Sequence, residues 1–81
     1  LLELKKHDEE NQTQYMETLR VYLEQHLSAT QAARELFIHR STFLYRLDRI
    51  KEILQSELDD PEEIFYLELS FRLLEQEQEK E

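Results

Sequence analysis

Residues 28–54 read SATQAARELFIHRSTFLYRLDRIKEIL, and this stretch decides the fold. Its apolar residues recur every three or four positions, which indicates helices rather than strands. A short break at residues 37–39 leaves room only for a tight turn. We therefore expect a helix-turn-helix in which a shorter helix is followed by a longer one, the longer helix covering about residues 40–54.

The start of the shorter helix is marked by Ser28 and, three residues later, Gln31, which is the spacing of a capping box. The pair Ala32–Ala33 offers a small surface that a second helix can cross closely, with Ala33 at the crossing. Leu36 and Phe37 are the apolar groups expected to hold this crossing.

The turn consists of Phe37, Ile38 and His39, without a glycine. One of these residues has to adopt a turn conformation at some cost. We expect His39 to do so, because histidine tolerates positive φ better than a branched residue. Ile38 is expected to be buried beneath the turn.

The longer helix separates into two sides at about 100° per residue. The side expected to be buried consists of Phe43, Leu44, Leu47, Ile50 and Leu54. The opposite side is polar, aromatic and basic, and consists of Thr42, Tyr45, Arg46 and Arg49. A helix of this kind suits the major groove of double-stranded DNA, which a helix-turn-helix enters with the N-terminal end of its second helix.

This geometry yields a set of candidate DNA-binding residues. Those in the first turn of the longer helix are expected at phosphates or the first base edges, and those further along at bases or the far backbone; hydroxyls and N–H groups at the start of the shorter helix suit a phosphate. The candidates are Ser28, Thr30, His39, Arg40, Ser41, Thr42, Tyr45, Arg46 and Arg49.

Plainer interpretations of four of these residues stay open. Arg46 and Arg49 are also typical of a solvated helix face, where they would pair with Glu52 or Asp48. His39 is equally suited to capping the longer helix. The ring of Tyr45 is large enough to cover the edge of the core instead of facing DNA.

Several segments resemble the C-terminal helix-turn-helix of the PucR/CdaR family, bacterial transcription regulators of purine and sugar-diacid catabolism. Within the motif these are TQAA (30–33), LFIHRST (36–42) and YRL (45–47) with Ile50. Outside it they are ETLR (17–20), YLE (22–24), Asp60–Pro61 and LELS (67–70), so the resemblance runs from about residue 1 to 74. It implies the DNA-binding output domain of a larger regulator. Leu44 stands where the family more often has a basic residue.

Composition points to one all-α domain covering residues 1–81. The chain has no glycine, one proline and no cysteine, which disfavours sheets and removes disulfides and Cys-based zinc sites. The three histidines, His7, His26 and His39, are too far apart for a helical ligand pair, so neither a metal nor a cofactor is expected. We find no signal peptide and no apolar run near the ~20 residues that span a bilayer; a cytoplasmic location is expected.

The pattern along the chain predicts a five-helix bundle. A first helix is expected over about residues 1–7, a second over about 13–26, and a loop over 55–59 after the motif. Asp60 as cap and Pro61 at the first helical position start a closing helix at about 61–77, with the tail after Leu74 fraying into solvent. Because the chain begins with Leu rather than Met, we expect a longer protein whose N-terminal part binds an effector.

The net charge argues against DNA binding, since this chain carries −9 whereas DNA-binding domains usually carry a basic surface. The charge is unevenly distributed. Residues 37–51 contain four basic residues and one acidic residue, whereas residues 55–81 contain ten acidic residues and two basic ones. We therefore expect DNA binding centred on the longer helix, and weak binding by the isolated domain because non-specific affinity depends on neutralised phosphates.

Catalysis has no support in the sequence. There is no glycine-rich phosphate loop and no nucleophile beside a base in a known motif, and we expect no room for a pocket of about 300 Å³. The alternative to DNA binding is a helical interaction or oligomerisation module, in which the broad apolar stripe Phe65, Leu69 and Leu73 of the last helix carries the function. Both interpretations hold together if the protein binds DNA as a homodimer.

Overall fold

The computed structural model describes residues 1–79, which form five helices and no strand. The helices are α1 (Leu2–Asn11), α2 (Tyr15–Glu24), α3 (Ala29–Glu35), α4 (Arg40–Leu54) and α5 (Pro61–Glu79). The all-α fold with five helices that the sequence predicts is therefore confirmed.

Helix α2 is the centre of the fold, because it packs against α1, α3, α4 and α5. Its Thr18 and Leu19 have no exposed surface. Leu4 of α1 and Phe43 and Ile50 of α4 are likewise fully buried. The core thus lies where the first four helices meet around α2, and α5 is added to the outside of that unit.

A carboxylate from α1 caps α2. Asp8 accepts hydrogen bonds from the backbone N–H groups of Tyr15 and Met16, each at 2.9 Å, and from the Thr13 hydroxyl. A carboxylate at this end of a helix satisfies unpaired N–H groups and interacts favourably with the helix dipole. Asp8 lies on α1, so this contact joins the two helices.

The boundaries expected for the first two helices are wrong. The first helix was expected to end near residue 7, but α1 continues to Asn11 and ends at Gln12, which is left-handed with φ 55°. The second helix was expected over 13–26, but α2 begins at Tyr15, after the Asp8 cap, and ends at Glu24 because His26 and Leu27 have positive φ.

Helix α3 begins as its capping spacing predicts, with the Ser28 hydroxyl accepting a hydrogen bond from the Gln31 N–H at 3.2 Å. Ala32 and Ala33 are buried, and α3 packs against α4. Leu36 and Ile38 are half-buried and pack against the core, as expected. Small side chains on α3 and apolar ones at its end therefore hold the two helices of the motif together.

The turn differs from expectation at Phe37. This residue, not His39, is left-handed, with φ 58°. The reason is the bond from the Ile38 N–H to the Ala33 carbonyl at 3.1 Å, which requires a left-handed residue just after the helix end. Phe37 does not hold the crossing of the helices, because its side chain is 95% exposed. His39 is extended (φ −67°, ψ 149°), as the residue that starts α4 has to be.

Helix α4 buries Phe43, Leu47 and Ile50, with Leu54 half-buried against the same core. Leu44 was expected to belong to this stripe, but it is half-exposed and does not pack against the core. The centre of the buried side lies between Phe43, Leu47 and Ile50, and Leu44 is turned away from that centre by about a quarter of a helical turn.

Helix α5 starts at Pro61, with the Asp60 carboxylate accepting from the Glu62 N–H at 3.1 Å. Its contact side carries Phe71, which is buried, and Ile64 and Leu67, which are half-buried. The fraying expected after Leu74 is wrong for residues 75–79, which are helical to Glu79; residues 80–81 lie outside the described part. Glutamate and glutamine favour helix without any packing partner.

The buried position of Ala33 predicts the outcome of Ala33→Leu. The added carbons have to enter a close contact between helices, and overpacking of this kind typically costs ~1–3 kcal/mol. Urea unfolding should show this loss, while Gln31→Leu on the exposed side of α3 should leave the unfolding free energy nearly unchanged. Equal stability of the Ala33 variant and the parent would mean that the helices do not cross at this residue.

Because Phe37 is exposed and left-handed, we expect glycine at this position to make the domain more stable. A left-handed residue with a Cβ costs ~1–2 kcal/mol, whereas glycine costs about 0.5–1 kcal/mol in unfolded-state entropy. Phe37→Gly should therefore raise the unfolding free energy by up to about 1 kcal/mol. Phe37→Ala keeps the Cβ and should not gain. If both variants lose stability in urea unfolding, the ring makes a packing contact that its exposure does not indicate.

Candidate nucleic-acid interface

The outward face of α4 is defined by Ser41, Tyr45, Asp48 and Glu52, all of which are exposed. Their intervals of four, three and four residues keep them on one side of a helix. This side lies opposite the buried Phe43, Leu47 and Ile50. The Tyr45 side chain is 64% exposed and thus stands on the centre of the face instead of covering the core.

The N-terminal end of α4 is joined to α3 by a side-chain contact. Arg40 Nε donates a hydrogen bond to Thr30 Oγ1 at 3.2 Å, and both residues are exposed. Ser41 and Thr42 are exposed beside them. The structure thus brings together four of the candidate residues at one end of the motif. The backbone N–H groups of the first turn of α4, which have no partner within the helix, lie at the same end.

Two other candidates are placed differently. Ser28 is half-buried and its hydroxyl oxygen already caps α3. His39 starts α4 through its backbone carbonyl, which accepts from the Phe43 N–H at 3.0 Å, but its side chain makes no capping bond and is exposed. The capping role considered for the imidazole is therefore absent, while the ring stands beside Arg40.

Arg46 lies on the side of α4 that faces α2. Its Nη1 is 3.5 Å from Oγ1 of the fully buried Thr18, a long hydrogen bond. The Thr18 hydroxyl donates to the Gln14 carbonyl at 2.7 Å and so has lone pairs left to accept from Arg46. A guanidinium has five N–H donors. Arg46 therefore ties α4 to α2 at the edge of the outward face and retains further donors.

Arg49 forms an ion pair with Glu52 on the next turn of α4, through Nη1 and Oε2. The carboxylate of Glu52 raises the pKa of the Arg49 guanidinium above its ordinary value. The interpretation of Arg49 as a residue paired with Glu52 on a solvated helix face therefore describes the free chain. The Arg49 and Glu52 side chains are 40% and 65% exposed, so the pair is weak and can be exchanged for another anion.

Sequence reasoning did not include three further residues of this surface. Arg34 is exposed and lies four residues after Thr30, which places it on the same side of α3. Leu44 and Asp48 flank Tyr45 on α4, the first half-exposed and the second exposed. The helical spacing from Ser41 to Asp48 indicates the outward position of Asp48, but the charge of an acid argues against choosing it.

The rest of the described chain offers little chemistry. An open cleft of about 390 Å³ lies between α2 and α5, so the expectation that no such pocket exists is wrong. Its lining contains no serine, threonine or cysteine, and its Arg20 is held by Glu17 and Glu24. Within residues 1–79, no group of three acidic or histidine side chains is placed to hold a metal ion, and no helix is long and apolar enough to cross a membrane.

A short helix crossing a longer one, with an exposed polar and basic end on the longer helix, defines the class of a DNA-binding helix-turn-helix domain. A sequence model of the PucR C-terminal helix-turn-helix domain matches residues 15–73, and the chain belongs to this family. The resemblance drawn from the motif is thereby confirmed, although the match begins at Tyr15 and does not include α1.

Two curated relatives from Bacillus subtilis (strain 168) are similar over this region. The chain is 41% identical over 58 residues to the purine catabolism regulatory protein, covering 72% of this chain and 11% of that protein. It is 40% identical over 57 residues to the proline-responsive transcriptional activator PutR, covering 70% of this chain and 14% of that one. The chain therefore spans a small part of the length of these regulators. No solved structure matches the chain.

Proposed function

We propose that this chain binds a specific sequence of double-stranded DNA, as the output domain of a bacterial transcription regulator, by placing α4 in the major groove with its N-terminal end foremost. The observation that carries the proposal is the two-sided construction of α4. Phe43, Leu47 and Ile50 are buried, so that Ser41 and Tyr45 project from the domain at the end where α4 begins.

The proposed roles follow from position on the surface. Arg40, Ser41 and Thr42 anchor phosphates or reach the first base edges, and Tyr45 faces the bases. Arg46 and Arg49 reach the backbone or bases from the side of α4 nearer α2. Ser28, Thr30 and His39 complete the phosphate contacts at the start of α3 and α4. Phosphate contacts position a protein on DNA without reading its sequence.

The overall charge of −9 shapes the kind of binding that we propose. Non-specific affinity comes from neutralised phosphates, and this chain has only ten basic residues against nineteen acidic ones. Binding by one copy is therefore expected to be weak and to depend strongly on base contacts.

We further propose that two copies associate through α5. Within residues 1–79, α5 packs against no helix other than α2. Four of its large apolar side chains are 42 to 60% exposed; they are Phe65, Tyr66, Leu69 and Leu73. Exposed apolar patches often mark association surfaces, and helix-turn-helix proteins commonly read paired half-sites as dimers. A second copy of this chain is therefore the partner that we expect to cover the apolar surface of α5.

The competing function is a helical interaction module that uses this same α5 surface and binds no DNA.

The effector, in either case, is proposed to bind a part of the regulator outside these 81 residues, since the relatives are several times longer than the region matched. A cytoplasmic location belongs to the same proposal, as does the absence of catalytic activity.

The proposal is tested by selecting duplexes from a random library with the 81-residue chain at low salt. Enrichment of one sequence, bound more tightly than scrambled duplexes, is the expected result. If no sequence is enriched while the protein remains folded by circular dichroism, DNA binding by α4 is wrong and the interaction module becomes the better interpretation.

Arg46→Ala tests a single contact. Because Arg46 lies at the edge of the outward face, we expect a phosphate contact, so that affinity falls on all sequences alike and the salt slope drops by about 1. Loss of preference at one base pair, with a cost of ~1–3 kcal/mol, would instead assign it to guanine. Lys5→Ala, at an exposed lysine of α1, removes the same charge and is the control. Unchanged affinity of the Arg46 variant would remove this residue from the interface.

Leu69→Glu and Leu73→Glu test the α5 surface. Each should give a folded monomer with weaker binding to a paired site, measured by sedimentation and circular dichroism. Leu2→Glu, at an exposed leucine of α1, is the matched control and should change neither property. If the α5 variants unfold, these leucines belong to the core, and if they associate as the parent does, the dimer does not use α5.

A further inference from the structure

Two side chains on α4 have no role in the fold. Leu44 is half-exposed and stands outside the core. Asp48 is exposed and, within residues 1–79, forms neither a hydrogen bond nor an ion pair, although Arg49 and Lys51 are close in sequence. The two residues lie four apart, so they are neighbours on adjacent turns of α4, next to Tyr45 on the outward face.

Asp48 is in an unfavourable place for a helix that approaches DNA. A carboxylate on the outward face meets the negative phosphates on both sides of the groove, and an ionised carboxylate can only accept hydrogen bonds. The major groove offers donors only at the amino groups of the bases, N4 of cytosine and N6 of adenine. Asp48 is therefore tolerated in the groove only where it meets such a group.

We propose that Asp48 selects a cytosine by accepting a hydrogen bond from its N4 amino group, and that Leu44 contacts the methyl group of a nearby thymine. The inference rests on the proposed function, and goes beyond it by naming the bases. Acidic side chains commonly accept from cytosine N4, whereas asparagine is the side chain that suits adenine. Apolar side chains suit the thymine methyl group, the one apolar feature of the groove.

Helix geometry limits the distance between the two bases. Leu44 and Asp48 are separated by about 6 Å along the axis of α4, at 1.5 Å per residue. Base pairs are spaced by about 3.4 Å. The cytosine and the thymine should therefore be one or two base pairs apart in the selected sequence.

A merely solvated Asp48 makes a different prediction. Removal of an acid near phosphates relieves repulsion in both cases, and this gain opposes the loss of any hydrogen bond that Asp48 accepts. Affinity alone is thus uninformative, and the base preference at one position decides. If Asp48 is only solvated, its replacement leaves this base preference unchanged. If Asp48 contacts the base, its replacement abolishes the preference.

The first experiment compares duplexes selected from a random library by the parent and by Asp48→Ala, Asp48→Asn and Glu9→Ala. Glu9 is an exposed glutamate on α1 and provides the same change of charge. We expect the parent to prefer cytosine at one position by about fivefold or more. Asp48→Ala should bind all four bases there alike, Asp48→Asn should shift toward adenine, and Glu9→Ala should keep the cytosine preference.

The second experiment replaces the neighbouring thymine by deoxyuridine, which lacks only the methyl group. The parent should lose a few-fold in affinity on this replacement, and Leu44→Ala should not distinguish the two duplexes. Leu44 lies outside the core, so this variant should fold, which circular dichroism checks. Equal binding of both duplexes by the parent overturns the role of Leu44.

The two levels of failure are distinguishable. If the parent enriches no sequence, DNA binding by α4 itself is wrong. If the parent is selective but the preferences of Asp48→Ala are those of the parent at every position, the proposed function stands and the assignment of Asp48 is overturned.

Discussion

The burial of one side of α4 is the constraint on which the rest of the structure depends. Phe43, Leu47 and Ile50 are buried in the core formed with α1, α2 and α3, and Phe43 also lies against the Tyr22 ring, with 5.6 Å between ring centroids. Once these side chains are buried, the rotation of α4 about its axis is set. Tyr45 has to project outward because it is attached to the same rigid helix, about half a turn away from the buried side.

Helix α2 supplies the surface that receives α4, and it is itself held by α1. The carboxylate of Asp8 occupies the N-terminal N–H groups of α2, which are therefore not free to bind an anion. The first turn of α4 receives no such side chain, since the N-cap His39 makes no capping bond. Of the two helix ends, only that of α4 is left open beside an exposed arginine, Arg40.

Acidic composition and DNA binding are compatible because the charges are segregated along the chain. Most acids belong to the segment after residue 55, whereas residues 37–51 are mainly basic. A protein of this kind gains little from non-specific attraction. Under the proposed function, its preference for one sequence depends on hydrogen bonds and apolar contacts of few side chains, so that single residues such as Tyr45 would have a large share of the selectivity.

The sequence by itself determined which segments are helical and where the motif lies. Local rules suffice for this: the recurrence of apolar residues, the cap at Ser28, and Asp60 followed by Pro61. Helical spacing also places Ala33 at the crossing of the two helices and Tyr45 opposite the buried side of the longer helix. Each of these features depends on residues within a few positions of one another, so the pattern records them.

Only the tertiary structure decided the features that depend on distant partners. The contact between Arg46 and Thr18, 28 residues apart, and the capping of α2 by Asp8 of α1 result from how helices pack. The exposure of Leu44 depends on the exact rotation of α4, which a stripe of apolar residues defines only to within one position. Phe37 is left-handed because a backbone bond closes the turn there, and no glycine marks this position in the sequence.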